Sequence, residues 1–231
     1  MILGMLGSAA KESVSREVLL RAGERLERAG ARFDLVDLAV EFPHPHALED
    51  YDDPPPGSQT AQVRARVAGS VAVLLATPVY HGSYSALLKN ALDHLTGEAF
   101  AGRPVGLIAA GGGPRGAGSA CDQLRTVVRA LGGWSTPTQV ATTAADLAPG
   151  EPLRFLEERL DDLVAELLAF VRTAAGPVPG PVPGPVPGLV HGPVPGPVPG
   201  PVHGPVPGLF PGAVPGSVPR PVAGGPFPVL S

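Results

Sequence analysis

Cysteine is almost absent from this chain of 231 residues, because Cys121 is its only one and no disulfide can form within the chain. The sequence also lacks any apolar stretch long enough to span a bilayer. Its apolar start, MILGMLGSAA, has none of the positive charge that precedes the core of a signal peptide. We therefore expect a soluble, cytoplasmic protein with no membrane partner.

Acidic residues and lysine are absent after Gly176, where Arg220 is the one charged side chain. The same segment holds 19 of the 30 prolines and repeats Pro-Val-Pro-Gly from Pro177. Glycine at every fourth position excludes a collagen helix, and so few large apolar side chains cannot offset the entropy of ordering. We predict one domain at 1–173 and a disordered Pro/Gly-rich tail at 174–231. The tail is either a dispensable extension or a tether or interaction element.

Positive charge is also scarce in the globular part. Residues 1–175 carry 16 of the 17 Lys and Arg and all 21 Asp and Glu, a formal net charge of −5. Nucleic-acid binding relies on basic patches against phosphates, so we expect no nucleic-acid partner.

What the chain does contain is a regular alternation of apolar runs and helical periodicity. This alternation predicts an α/β fold, a three-layer sandwich around a five-stranded parallel sheet in the flavodoxin-like order 2-1-3-4-5. We expect Pro78 to end the third strand, since proline donates no ladder hydrogen bond. The expected strands are 1–6, 32–38, 71–76, 104–110 and 136–141. The expected helices are 13–29, 59–68, 83–95, 119–131 and 153–172, and either Ser83 or Ser85 could cap the third of them. The stretch 41–58 is expected to be a loop.

The loop after the first strand has the composition of an anion site. Ser8, Ser13 and Ser15 offer hydroxyls at a helix N-terminus, and Lys11 could add a positive charge. The alternative is that these serines only cap the helix.

Two further loops leave the same edge of the predicted sheet. In the loop 77–83, Tyr80 offers an aromatic face, and the N–H groups of Val79, Tyr80 and His81 could bond a flat polar heterocycle. The glycine loop that starts at Gly111, Gly112 and Gly113 would let a planar ring approach the backbone. Each loop alone could be a tight turn, but three on one edge favour a ligand site.

Three other motifs give weaker evidence of a functional site. The G-x-G-x-x-G pattern at 111–116 follows the fourth strand rather than the first, which argues against a dinucleotide fingerprint. His44 and His46 lie in a proline-rich stretch without nearby cysteine, so we expect a surface loop and no metal. Cys121 is expected to be a small packed thiol on a helix.

The stretch TPVYHGSYSALLKNALD closely resembles the signature of the NADPH-dependent FMN reductase family. It matches at Thr77, Pro78, Tyr80, Ser83, Leu88, Lys89, Asn90, Leu92 and Asp93. The resemblance implies a flavodoxin-like fold, bound FMN, NADPH or NADH as hydride donor, and a homodimer or homotetramer.

By position, the resemblance implies that the first loop holds the FMN phosphate and that the other two line the flavin. The phosphate would lie at Ser8, Ser13 and Ser15; the ring and ribityl chain at Pro78, Val79, Tyr80, His81 and Ser83; the isoalloxazine at Gly111 and Gly112. Ala10 replaces the arginine usual in the family, unless Lys11 substitutes for it. We expect Lys89, Asn90 and Asp93 to stabilise the helix rather than to take part in the chemistry. No side chain is named as catalytic, since the cofactor carries the hydride.

The leading prediction, which rests on this resemblance and on the three loops, is an NAD(P)H-dependent FMN reductase that transfers a hydride from nicotinamide to flavin. The Y-x-x-S-Y-S form at 80–85 is similar to the branch that supplies reduced flavin to monooxygenases. The alternatives are an FMN-bound reductase of quinones or azo dyes, and a non-catalytic flavin-binding protein with the tail as its interaction element.

Overall fold

Five parallel strands form the centre of the computed structural model, which describes residues 1–45 and 49–174. The sheet order is β2-β1-β3-β5-β6, and β4 pairs antiparallel with β3. The expected α/β fold and strand order are therefore confirmed, with one short strand added. The strands are β1 (Ile2–Leu6), β2 (Phe33–Asp37), β3 (Ala72–Tyr80), β4 (Ser83–Tyr84), β5 (Pro104–Ala110) and β6 (Trp134–Thr142).

Seven helices connect or follow the strands within the described residues. They are α1 (Val14–Arg28), α2 (Leu38–Glu41), α3 (Glu49–Asp52), α4 (Gln59–Ala68), α5 (Ala86–Asp93), α6 (Pro114–Ala130) and α7 (Glu151–Ala174), with a 3₁₀ turn at Ala144–Leu147. None of them is long and apolar enough to cross a membrane. The predicted tail lies outside the described residues, apart from residue 174 at the end of α7.

One loop expectation and two helix expectations were wrong in detail. The stretch 41–58 is not one loop, because it contains α3 and the end of α2. Helix α5 begins at Ala86 rather than at 83, because of the two expected cap residues it is Ser85 whose hydroxyl accepts from the Leu88 N–H. Helix α6 begins at Pro114 rather than at 119, because proline suits the first helical position, where its missing N–H is not needed.

Both faces of the sheet are covered, which gives three layers. On β3, Leu74 packs into the core under α1 and α7, whereas Val73 and Leu75 pack into the core under α4, α5 and α6. Successive side chains of a strand point to opposite faces, so every position of a doubly covered strand must be apolar. That is why β3 has no polar alternation over residues 72–76.

The expectation that Pro78 ends the third strand was wrong. Strand β3 continues through Pro78 to Tyr80, and Pro78 stays in register with Ala110 of β5. In a strand, the backbone N–H and C=O groups of residues two positions apart point towards the same neighbouring strand. Ala76 points towards β1, because its carbonyl accepts the last hydrogen bond between the two segments, from Gly7 N (2.8 Å). Pro78 therefore faces the region beyond the end of β1, where its missing N–H costs no ladder bond.

Candidate functional site

The three predicted loops lie together at the carboxyl edge of the sheet, and hydrogen bonds join the first two. Gly7 N donates to the Ala76 carbonyl at 2.8 Å, and Ser85 Oγ donates to the Gly7 carbonyl at 2.6 Å. Ser85 N donates to Thr77 Oγ1 at 2.9 Å. The loop after β1 is thus fixed to the segment that leaves β3.

Gly7 allows this close approach because it has no side chain. A Cβ there would lie 2.6 Å from Leu88 Cβ and 2.9 Å from Ser85 Oγ, closer than real contacts allow. The signature residue Leu88 is fully buried. Leu88 therefore packs against the backbone of the first loop at Gly7 and stabilises its position.

Ser8 has the most unusual environment in the first loop. Its side chain is fully buried, and its Oγ has no hydrogen-bond partner among the described residues. A buried hydroxyl left unpaired is costly, and such groups are rare in folded proteins. The first turn of the 15-residue helix α1 follows this loop, so its free N–H groups lie at the same end. Helix capping does not account for Ser8.

Of the other residues predicted to bind the phosphate, Ser13 also caps the helix, whereas no capping contact is seen for Ser15 or Lys11 among the described residues. Ser13 is the N-cap of α1 and accepts from Arg16 N at 3.1 Å, as the capping alternative expected. Its Oγ lies 3.4 Å from the Oγ of Ser15, which is itself buried. Lys11 is exposed. Hydroxyls and a cation therefore gather at the start of α1, whether or not they also cap it.

Sequence reasoning did not identify Arg16 as part of this region. Its Nη2 donates to Asp37 Oδ2 at 2.7 Å, which joins the first turn of α1 to the end of β2. Its Nε is buried without a partner among the described residues. A second cation at the start of α1, besides Lys11, thus comes from the helix itself.

The second loop is a tight β-hairpin. His81 and Gly82 form its two-residue turn with φ of 51° and 81°. Positive φ at both central residues is the geometry of a type I′ turn, which matches the twist of paired strands. The side chains of Tyr80 and His81 are exposed, and those of Pro78 and Val79 are half-buried. The hairpin therefore offers an aromatic face and backbone groups to a ligand.

Val79 connects the hairpin to the glycine loop. A Cβ on Gly111 would lie 3.0 Å from Val79 Cβ, so any larger residue there would require Val79 to move by a few tenths of an ångström. A Cβ on Gly112 or Gly113 would meet nothing within 4 Å. The glycine loop is thus fixed at its first residue and open at the next two. The sequence predicts a glycine loop over 111–118, but the loop ends at Gly113, because Gly116 and Gly118 lie within α6.

The sequence predicts a helix that begins at Ser83, but Ser83 lies in β4. Its Oγ donates to Gln123 Oε1 at 2.6 Å, and Gln123 Nε2 donates to the Gly82 carbonyl at 3.0 Å. Gln123 was not predicted from the sequence. Its amide links the hairpin turn to α6.

The remaining motif residues contact the scaffold. Lys89 and Asp93 form an exposed ion pair one helical turn apart at 2.6 Å. Asn90 Nδ2 donates to the His44 carbonyl at 2.8 Å, which holds the segment after α2 against α5. No group of three or more His, Cys, Asp and Glu that could bind a metal occurs within 1–45 and 49–174, and His46 lies outside these ranges. Cys121 is buried, and this burial raises its pKa to about 12.

The fold and the loops at its carboxyl edge define the flavodoxin-like class. An oxidoreductase from Corynebacterium diphtheriae aligns with a TM-score of 0.64 at 18% identity, over 74% of this chain and 96% of that one. The flavoenzyme NAD(P)H:(acceptor) oxidoreductase from Paracoccus denitrificans aligns with a TM-score of 0.58 at 23% identity, over 73% and 97%. At such identities the likeness shows the fold alone.

Sequence comparison gives the family. Residues 1–146 match the family model of NADPH-dependent FMN reductase, and the chain belongs to that family. The resemblance that the signature predicted is thereby confirmed. An FMN-dependent NADPH-azoreductase of Staphylococcus aureus (strain USA300) is 49% identical over 79 residues, which are 34% of this chain and 42% of the relative. The match thus spans less than half the length of the curated relatives.

The family implies FMN as cofactor, and the residues present fit it. The unpaired hydroxyl of Ser8 at the start of α1 suits a phosphate oxygen. The open backbone at Gly112 and Gly113 suits a planar ring.

Proposed function

We propose that this protein is an NAD(P)H-dependent FMN reductase, which transfers a hydride from nicotinamide to flavin. The observation that carries the proposal is the buried, unpaired Ser8 hydroxyl, in a loop bonded to the hairpin segment at the sheet edge. Membership of the FMN reductase family over residues 1–146 supports the reaction type.

In this proposal the first loop binds the phosphate of FMN. The hydroxyls of Ser8, Ser13 and Ser15 donate to phosphate oxygens, and the N-terminus of α1 adds its partial positive charge. Lys11 and Arg16 contribute cationic charge at the same end, although Arg16 already pairs with Asp37.

The hairpin and the glycine loop line the flavin. Pro78, Val79, Tyr80, His81 and Ser83 line one side of the cleft. Gly111, Gly112 and Gly113 let the ring approach the backbone of the other side. FMN supplies the redox chemistry, and the protein orients it and stabilises charge on the ring, so no side chain is proposed as a general acid or base.

The finer proposals concern location, assembly and the acceptor. We propose a cytoplasmic homodimer or homotetramer that passes reduced FMN to a partner monooxygenase. The motivation is the Y-x-x-S-Y-S form at 80–85, in which Ser85 bonds the first loop. The matching test is whether a flavin-dependent monooxygenase that lacks its reductase is active with this protein, FMN and NADPH.

A second candidate function is an FMN-bound azo or quinone reductase. The observation that favours it is the 49% identity over 79 residues with the azoreductase of Staphylococcus aureus. The two candidates differ in how FMN is held, since a reductase of dyes retains its flavin and a flavin supplier releases it.

The testing experiment measures oxidation of NADPH and of NADH by freshly purified full-length protein, with and without added FMN. Oxidation that requires added FMN supports the flavin supplier. A protein that is yellow after purification and oxidises NADPH only when an azo dye is present supports the second candidate. Flavin binding without oxidation of either nucleotide would leave the non-catalytic flavin protein as the correct reading.

A further inference from the structure

We propose that Gln123 is a positioning residue that holds the tip of the β3–β4 hairpin against α6 and thereby sets the geometry of the flavin cleft. The inference rests on the proposed function, because the cleft concerned is the proposed flavin site. Gln123 would not touch the reacting atoms; it would act through Gly82 and Ser83.

The Gln123 side chain uses both ends of its amide in this contact. Its Oε1 accepts from Ser83 Oγ at 2.6 Å, and its Nε2 donates to the Gly82 carbonyl at 3.0 Å. Nε2 also lies 3.2 Å from Ser119 Oγ, one turn earlier on α6. One side chain thus bonds two consecutive residues at the hairpin tip and one on its own helix.

The hairpin tip needs an external contact because its own pairing is short. Strand β4 has two residues, which pair Val79 with Tyr84 and Tyr80 with Ser83. Isolated two-stranded hairpins are at best marginally stable. In addition, His81 has a left-handed backbone, which is unfavourable for a residue with a side chain and must be held by its surroundings.

The base of the hairpin is fixed by other contacts. Val79 packs on Gly111, and Ser85 bonds Thr77 and Gly7. Tyr84, which pairs with Val79, packs against the core cluster that includes Cys121 and Leu124 of α6. At the tip itself, the side-chain hydrogen bonds from Gly82 and Ser83 to α6 among the described residues are those made by Gln123. Loss of the Gln123 amide would therefore free the tip while leaving the base in place.

Helix α6 makes this contact relevant to the flavin. The glycine loop leads directly into α6, with Gly113 as its N-cap, and Gln123 lies on a later turn of the same helix. The amide consequently fixes the hairpin relative to the glycine loop, and these are the two sides of the cleft. Tyr80 and His81, next to the bonded turn residues, are the groups whose position would change.

The experiment compares Gln123→Leu, Gln123→Glu and wild-type full-length protein. Leucine keeps a similar size and removes every bond, whereas glutamate can still accept from Ser83 but cannot donate to Gly82. FMN affinity is measured by quenching of flavin fluorescence, and the environment of the bound ring by visible circular dichroism. We expect roughly tenfold weaker FMN binding for Gln123→Leu, a smaller loss for Gln123→Glu, and a changed dichroism spectrum in both.

Gln62→Leu is the matched control. Gln62 Nε2 donates to the carbonyl of Gly57 at 2.7 Å, and Gly57, like Gly82, has a positive φ. This contact lies before and within α4, outside the three site loops. Gln62→Leu, which removes one such bond, should therefore lower thermal stability to some extent and leave FMN affinity and the flavin spectrum unchanged.

The outcomes separate this inference from the function on which it rests. Wild-type protein that binds no FMN would overturn both. Wild-type binding together with unchanged affinity and spectrum in the Gln123 variants would overturn the positioning role alone, including when the variants melt earlier. If Gln123→Leu does not fold, Gln123→Glu decides by the same two measurements.

Discussion

Replacing Ser8 by alanine should stabilise the flavin-free protein and weaken its binding of FMN. The Ser8 side chain is fully buried, and its Oγ has no partner among the described residues. Leaving a buried hydroxyl unpaired costs about 1–3 kcal/mol. Alanine removes that cost and only one oxygen atom from the packing. We therefore expect the free energy of unfolding to rise by about 1 kcal/mol in Ser8→Ala.

The effect on FMN binding should have the opposite sign. In the proposed site Ser8 Oγ donates to a phosphate oxygen, and hydrogen bonds to charged groups contribute about 1.5–3 kcal/mol. Ser8→Ala should therefore raise the Kd for FMN by roughly 10- to 100-fold. Riboflavin lacks the phosphate, so its Kd should change far less.

Thermal unfolding of the flavin-free protein and fluorescence titration with FMN measure the two effects. About 1 kcal/mol corresponds to a Tm change of roughly 2–4 °C for a domain of this size. Ser70→Ala is the matched control, because Ser70 is also buried but its Oγ donates to the Val67 carbonyl at 2.7 Å. That variant should lose stability and keep its FMN affinity. The reasoning would be refuted if Ser8→Ala lost stability as Ser70→Ala does, or if it bound FMN as tightly as wild type.

Three further predictions concern the scaffold. Gly7→Ala should lower the free energy of unfolding by about 1–3 kcal/mol, since its Cβ would lie 2.6 Å from Leu88 Cβ. The control Gly97→Ala, where a Cβ meets nothing within 4 Å, should leave the free energy of unfolding unchanged. Equal Tm values for the two variants would contradict the packing argument. The pKa of Cys121 is raised from 9.0 to about 12, so its thiol should resist alkylation until the protein unfolds. Unfolding returns the thiol to its ordinary pKa, so the free energy of unfolding should fall as the pH rises from about 9 towards 12. Rapid labelling of the native protein at about pH 8 would contradict the expected resistance to alkylation. Deleting 175–231 should leave the Kd for FMN unchanged, and a large increase would show that the tail contributes to the site.

The sheet was predictable from the sequence because its central strands β1, β3 and β5 are buried on both faces over most of their length. The run at 72–76 is apolar at every position since Val73 and Leu74 enter different cores. The extension of β3 past Pro78 could not be predicted, because it depends on where the neighbouring strand β1 ends. A local rule about proline does not contain that information.

The candidate site was predictable in its backbone but not in the contacts that fix it. The three loops follow from parallel strands, which end at one edge of the sheet. Ser85 bonds Gly7, which lies 78 positions away in the chain, and Ser83 bonds Gln123, 40 positions away. Neither pair has a local sequence signal. Ser85 could be identified only as a helix cap, and Gln123 only as one polar residue of an amphipathic helix.

The most direct test of the central claim is anaerobic reduction of FMN by NADPH, or by NADH, in the presence of the full-length protein. The proposed function predicts loss of the visible absorbance band of oxidised FMN together with oxidation of an equal amount of nucleotide, much faster than without protein. FMN that stays oxidised with both nucleotides, although the protein binds it, would contradict the proposed reductase function.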